Sequence, residues 1–309
     1  MTNKKNTNFI STEFLNQREM KNILESASEI FSSKNSLKTL TKNCKDKLIF
    51  NLFFEPSTRT RTTFEIAASN LQAKVVNFNI ENSSQTKGES LIDTISNLSA
   101  MSANCFIIRH KMSGAANLIA KHTPNNIGII NAGDGSHAHP TQALVDAFTV
   151  SRKFKNLRKL RLAIVGDILH SRVARSQIDV FKKMGISDIR LIGPETILPD
   201  EFEKFGVSIH RNIEKGIKDV NVIICLRIQN ERMSSMLLPS KKEYFALYGL
   251  TQNRIKKCSN DIIVMHPGPI NRGVEIDTAV ADSTYSMILN QVSYGVAVRM
   301  AIINKVLNG

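Results

Sequence analysis

The chain has 309 residues, 42% of them hydrophobic, with 15 Gly and 8 Pro, and its 41 Lys and Arg against 27 Asp and Glu leave a formal net charge of +14. That composition excludes a disordered or fibrous protein, and no apolar run approaches the roughly 18–20 residues that span a bilayer. The positive balance fits surface lysines, an enzyme for anionic substrates or a nucleic-acid binder, and surface lysines are the favoured account of most of it.

The first residues, MTNKKNTNFISTEF, are basic but lack the apolar core and small-residue cleavage site of a signal peptide, so a cytoplasmic location is expected. Short apolar runs then alternate with helical patterns. Strands are predicted at 48–54, 74–80, 105–109, 127–132, 161–166, 188–192, 220–226 and 262–266. Helices are predicted at 88–101, 141–154 and 171–184, among others, with a long last helix at about 284–307. Strands that are apolar on both faces, separated by helices, imply parallel sheets covered by helices: an α/β fold. The basic stretch from Arg152 to Arg161 follows the fourth strand and reads as a helix end and loop, with Phe154, Leu157 and Leu160 as its buried stripe. Two lobes are therefore expected, each with a central parallel sheet. The first is 1–150 with the C-terminal helix, about 284–309, packed back on it; the second is 151–283. Cys44, Cys105, Cys225 and Cys258 form no CxxC pair, and Cys105 and Cys225 lie in apolar runs where a free Cys acts as a small hydrophobe.

Ligands of open α/β sheets bind at the carboxyl ends of strands, and the unusual clusters of this chain sit there. The first is Ser57-Thr58-Arg59-Thr60-Arg61. Placed after a strand and opening a helix, it aims hydroxyls, guanidinium groups and backbone N–H groups at one point, the requirements of a phosphate site. Capping accounts for one hydroxyl there, not for five hydroxyls and two arginines between Ser57 and Thr63. It is not a GxxxxGK[ST] loop. By composition alone, Ser83-Ser84-Gln85-Thr86-Lys87-Gly88-Glu89 is an ordinary polar loop. Arg109-His110 ends the third strand, and His139-Pro140-Thr141-Gln142 opens a helix after a glycine-rich turn. His137 and His139 form an HxH pair, but no third ligand stands at a telling spacing, so no metal is expected. In the second lobe, Arg172 follows the turn Gly166-Asp167, and Arg227-Ile228-Gln229 follows the strand Val222–Leu226. GDILHSR is not a dinucleotide fingerprint, and its arginine with Arg227 suits a second anion, such as a dicarboxylate. The carbonyls of His266-Pro267-Gly268-Pro269 are free to accept from an amide or amine. Spacing thus reaches group transfer between small anions, without metal or cofactor.

STRTR at 57–61, Arg109-His110 and HPTQ at 139–142 resemble the carbamoyl-phosphate signature of the aspartate/ornithine carbamoyltransferases, and the resemblance covers essentially the whole chain. SSQTKGE at 83–89, RIQNER at 227–232 and HPGPINRGVEI at 266–276 resemble the aspartate branch. The ornithine branch is expected to carry His-Cys-Leu-Pro where His266-Pro267-Gly268-Pro269 stands. The resemblance implies transfer of the carbamoyl group of carbamoyl phosphate to the α-amine of L-aspartate, an early step of de novo pyrimidine biosynthesis, without cofactor.

It gives Ser57, Thr58, Arg59 and Thr60 the phosphate, and Thr60, Arg109 and His139 the carbamoyl oxygen. Gln142 and the carbonyls of Pro267 and Gly268 take the carbamoyl nitrogen. Arg172, Arg227 and Gln229 take aspartate, while Ser83 and Lys87 come from a neighbouring subunit, Lys87 serving both substrates. Glu55 links the lobes on closure by pairing with Arg172 and Arg232. A homotrimer with shared sites is implied, and a dihydroorotase-like partner chain is favoured over a regulatory chain. The competing readings are an ornithine or related amine acceptor and, from another class, a basic nucleic-acid-binding protein.

Overall fold

The computed structural model describes residues 8–33, 40–78, 89–228 and 240–308. Its contacts divide the chain into two units, Met1–Val145 with Ser293–Gly309, and Asp146–Val292.

The first unit contains α1 (Gln17–Ser32), β1 (Leu48–Phe53), α2 (Thr58–Asn70), β2 (Lys74–Phe78), α3 (Leu91–Ala100), β3 (Cys105–His110), α4 (Ala115–His122) and β4 (Gly128–Asp134). The strands are parallel in the order β2-β1-β3-β4. The chain runs from β1 out to β2, then returns to place β3 on the other side of β1. The loops after β1 and β3 therefore leave the sheet at its topological switch, where open α/β sheets bind ligands. Phe50, Leu52, Phe106, Ile108, Ile119 and Ile129 fill the core on one face. Helix α1, which the apolar pattern had not singled out, starts on a capping box: Glu19 N donates to Asn16 Oδ1 at 2.8 Å, and Asn16 N to Glu19 Oε2 at 3.1 Å.

The last helix, α8 (Ile288–Asn308), returns to this unit as expected. The Arg299 guanidinium stands 5.2 Å from the Phe64 ring centroid, Tyr294 meets Phe31 edge-on at 5.0 Å, and Lys305 pairs with Glu19 at 3.2 Å. A buried cation over an aromatic face is worth on the order of 0.5–2 kcal/mol.

The second unit contains β5 (Arg161–Val165), α6 (Arg172–Lys183), β6 (Asp188–Ile192), β7 (Ser208–His210), β8 (Val222–Cys225), α7 (Lys241–Tyr248) and β9 (Ile263–Met265). Its parallel order is β7-β6-β5-β8-β9, so the switch lies between β5 and β8. Five strands stand where the sequence pattern gave four. The extra one, β7, is three residues long on the sheet edge and none of its residues is fully buried, so it lacks the apolar run that marks the others. The unit boundaries fall inside α8 and inside α5 (Pro140–Lys153). Cys105 and Cys225 are fully buried in β3 and β8, and burial pushes both thiols up, so they act as small hydrophobes. Among the described residues, no helix is long and apolar enough to cross a membrane.

Candidate active site

In the first unit, strand register builds the site. Phe53 on β1 pairs with Arg109 on β3, and Phe54 N donates to Arg109 O at 2.7 Å. The loop leaving β1 is thereby pinned beside the end of β3, and α2 starts five residues after β1 ends. Ser57 is the N-cap residue of α2 but makes no side-chain capping bond. Its hydroxyl is not consumed by the helix, and the N–H groups of the first turn have no partner inside an α-helix. Thr63 is different: its Oγ1 donates back to Arg59 O at 2.8 Å, so this hydroxyl serves the helix itself. Thr60 is buried and Arg59 half-buried at this N-terminus.

Arg109 is held from three sides. Its Nε lies 2.8 Å from Glu55 Oε1, its Nη1 donates to Ala132 O at 3.3 Å, and the same Nη1 stands 3.4 Å from His139 Nε2. A guanidinium only donates, so His139 Nε2 faces it as an acceptor, leaving Nδ1, 3.4 Å from Thr141 Oγ1, to carry the ring proton. An oxygen ligand between the two side chains requires the other tautomer or a rotated ring for His139 to donate. Glu55, expected to pair with Arg172 and Arg232 when the lobes close, lies beside Arg109 here, where the β1–β3 register places its loop.

The turn before His139 is fixed by Asp134, which is 1% exposed and accepts from Gly114 N at 2.7 Å and Asn131 Nδ2 at 2.8 Å. His137 Nδ1 lies 3.2 Å from Asp134 Oδ2, so the two histidines of the HxH pair turn to different partners. A register shift between Ile108 and His110 re-aims the end of β3, with Gly135 N donating to His110 O at 3.0 Å. Pro140 then opens α5 at its first position, where a missing N–H costs nothing. His139 and Gln142 sit at that helix start, both buried, with Gln142 N donating to His139 O at 3.1 Å. His110 is buried and receives Met112 N–H on Nδ1 at 2.9 Å, and burial and Lys111 hold its pKa below the ordinary value. It stays a neutral structural residue at neutral pH.

In the second unit the switch loops carry the two arginines. Val165 pairs with Cys225, and Leu226 N donates to Val165 O at 2.8 Å. The next residue, Gly166, has φ +134°, and a Cβ there would lie 2.7 Å from Leu226 O, so only glycine lets the strands run this close. Asp167, fully buried, ties the turn by accepting from His170 N at 3.1 Å and lying 2.9 Å from His170 Nδ1. Ser171 caps α6, accepting from Ala174 N at 3.1 Å, which puts Arg172 at the first helical position, 3% exposed. Arg227 follows β8, half-buried. At the end of β9, His266 is 2% exposed and holds the next turn: its Nδ1 accepts from Gly268 N at 2.7 Å, and its Nε2 lies 3.1 Å from Glu275 Oε1. Gly268 has φ +67° and a cis bond to Pro269. Ser83, Lys87, Gln229 and Arg232 lie outside the described residues.

Each unit thus gathers cationic groups at the switch point of a parallel α/β sheet, the arrangement of an enzyme that handles small anions. The model of the aspartate/ornithine carbamoyltransferase carbamoyl-P binding domain matches residues 7–152, and that of the Asp/Orn binding domain matches 158–306. Aspartate transcarbamoylase from Trypanosoma cruzi, solved with N-(phosphonacetyl)-L-aspartic acid, is 27% identical with a TM-score of 0.85, over 98% of this chain and 96% of that one. The same enzyme with carbamoyl phosphate and aspartate gives 27% and 0.85, over 98% and 97%. Ornithine carbamoyltransferase from Pyrococcus furiosus, at 24% identity and a TM-score of 0.87 over 98% of both chains, shares the fold. The chain belongs to the aspartate/ornithine carbamoyltransferase family.

Proposed function

We propose that the chain transfers the carbamoyl group of carbamoyl phosphate to the α-amine of L-aspartate, giving N-carbamoyl-L-aspartate and phosphate, as an early step of pyrimidine biosynthesis. The observation that carries this reading is the convergence, at one topological switch of the first unit, of the α2 N-terminus with Arg109 and His139. Ser57, Thr58, Arg59 and Thr60 bind the phosphate group, and the helix end and Arg59 spread its charge. The neutral amine attacks the carbonyl carbon, a C–N bond forms, and charge develops on the carbonyl oxygen. Thr60, Arg109 and His139 stabilise that oxyanion. The C–O bond to phosphate then breaks, and the departing phosphate takes the proton released by the amine. Gln142 and the carbonyls of Pro267 and Gly268 orient the carbamoyl nitrogen.

Arg172, Arg227 and Gln229 bind the acceptor, and two arginines suit a dicarboxylate better than a cationic side chain. The test is to offer aspartate and ornithine in parallel, with carbamoyl phosphate, to the purified chain. Carbamoyl-aspartate is expected as the main product, and carbamoyl-ornithine would overturn the acceptor assignment.

The assembly in this reading is a cytoplasmic homotrimer in which Ser83 and Lys87 of one subunit complete a neighbour's site, with Glu55 and Arg232 acting in lobe closure. A dihydroorotase-like partner chain fits HPGPINRGVEI better than a regulatory chain does. Chains with Arg59→Ala and chains with Lys87→Ala should each be nearly inactive, whereas mixed trimers should recover part of the activity. Continued inactivity of assembled hybrids would exclude a shared site.

A further inference from the structure

Asp146 lies on α5 in the apolar stretch Ala143-Leu144-Val145-Asp146-Ala147-Phe148 and is fully buried. Its Oδ2 accepts from Gln177 Nε2 at 2.5 Å, and its Oδ1 accepts from Gln291 Nε2 at 2.7 Å. Gln177 is also fully buried and sits on α6, little more than one turn beyond Arg172. Gln291, 4% exposed near the start of α8, passes the chain on: its Oε1 accepts from His266 N at 2.9 Å. His266 in turn holds Gly268 N and faces Glu275, whose Oε1 also accepts from Asn271 N at 2.6 Å. One continuous buried network therefore runs from the helix that presents Arg172 to the turn that presents the Pro267 and Gly268 carbonyls.

We propose that Asp146 is a positioning residue for the second unit's part of the site, fixing through Gln177 the helix α6 that presents Arg172 to the acceptor, and through Gln291 the 266–268 turn whose carbonyls meet the carbamoyl nitrogen. Because it gives those groups their roles, the proposal rests on the carbamoyl-transfer reading. Burying a carboxylate in an apolar helix is unfavourable unless its oxygens are hydrogen-bonded, and aliphatic packing of similar volume is often as stable or more so. What the carboxylate adds is direction. Both its oxygens accept, so the two amides must present Nε2, and hydrogen-bond angles then set the rotation of α6 and the height of the turn. A dispersion contact imposes no such angles.

The network acts on the placement of α6 as a whole. Arg172 stands at the first position of α6, where small rotations of the helix swing a long side chain widely. A misplacement of about 1 Å costs on the order of 10²-fold in rate.

The experiment compares Asp146→Ala with the conservative Asp146→Asn in the full chain, measuring aspartate KM, kcat, phosphate binding by calorimetry, and the unfolding midpoint. Asp146→Ala is expected to raise the aspartate KM at least about 10-fold and to lower kcat, while phosphate binding to the first unit changes less than about twofold. Asp146→Asn should recover most of that loss. Its Oδ1 still accepts from Gln291, and its Nδ2 donates to Gln177 once that amide flips. Should the alanine variant fail to fold, Gln177→Met cuts only the α6 limb and should raise the aspartate KM in the same direction. An unchanged aspartate KM in the folded variants overturns the proposal. So does an equal weakening of phosphate and aspartate binding, which marks a merely structural role. Wild-type transfer to aspartate tests the underlying reading separately. If that transfer fails, amide hydrogen exchange decides the network without substrate: faster exchange at Gly268 and along 174–178 in Asp146→Ala supports it, and unchanged exchange refutes it.

Discussion

Replacing Arg109 by Met is expected to lower kcat for carbamoyl transfer by about 10²–10³-fold, the usual cost of losing one donor to a developing oxyanion. The guanidinium is half-shielded and held by Glu55, Ala132 O and His139, so it is already oriented before substrate arrives and little reorganisation accompanies reaction. Met keeps the length and apolar stem while removing every donor. The substitution also removes the guanidinium beside Glu55, so that carboxylate's negative charge is less offset near the carbonyl oxygen. Arg109→Met combined with Glu55→Gln separates the two effects. If the missing donor is the cause, the double variant stays slow; recovery to near wild-type kcat would mean that Arg109 serves mainly to neutralise Glu55. Unfolding midpoints of both variants show whether the fold survives.

Replacing Arg172 by Leu is expected to raise the aspartate KM by about 10²-fold or more, since truncating one partner of a buried, hydrogen-bonded charge pair costs on the order of 2–5 kcal/mol. Arg172 is 3% exposed at the first position of α6, behind the N-cap Ser171, so the helix end adds favourable potential for an anion to what the guanidinium supplies. Phosphate affinity should change little, because the phosphate determinants belong to the first unit. Steady-state kinetics with aspartate varied at saturating carbamoyl phosphate read the effect. An aspartate KM within about threefold of wild type would remove Arg172 from the acceptor site.

Much of the fold was legible from the chain because both signals are local. Each of the eight strand candidates found its strand, including β2, none of whose residues is fully buried. Two of the elements that escaped are informative. β7 is too short and too exposed to carry a period, and α1 announces itself by its Asn16–Glu19 capping box rather than by a buried run. At the site, the arginines and the STRTR hydroxyls were visible as excess donors at strand ends. Asp134 and Asp146 were not singled out, although a lone carboxylate within an apolar helical stretch is a signal that a partner awaits it. Gln177 and Gln291 carry no signal at all in the chain, because nothing local distinguishes a buried glutamine from a solvated one.

What the sequence determined by itself is therefore which groups stand at which strand ends: Arg59, Arg109, Arg172 and Arg227, each placed by the hydrophobic period of its own segment. What only the tertiary structure decided is what those groups meet. That Arg109 faces Glu55 and His139 depends on the pairing of Phe53 with Arg109 and on the register shift after Ile108. That Asp146 joins α6 to the 266–268 turn depends on partners 31 and 145 residues away in the chain. Periodicity is a property of neighbouring residues, whereas register and hydrogen-bond partnership arise only when distant segments are brought into contact by burial of the faces they share.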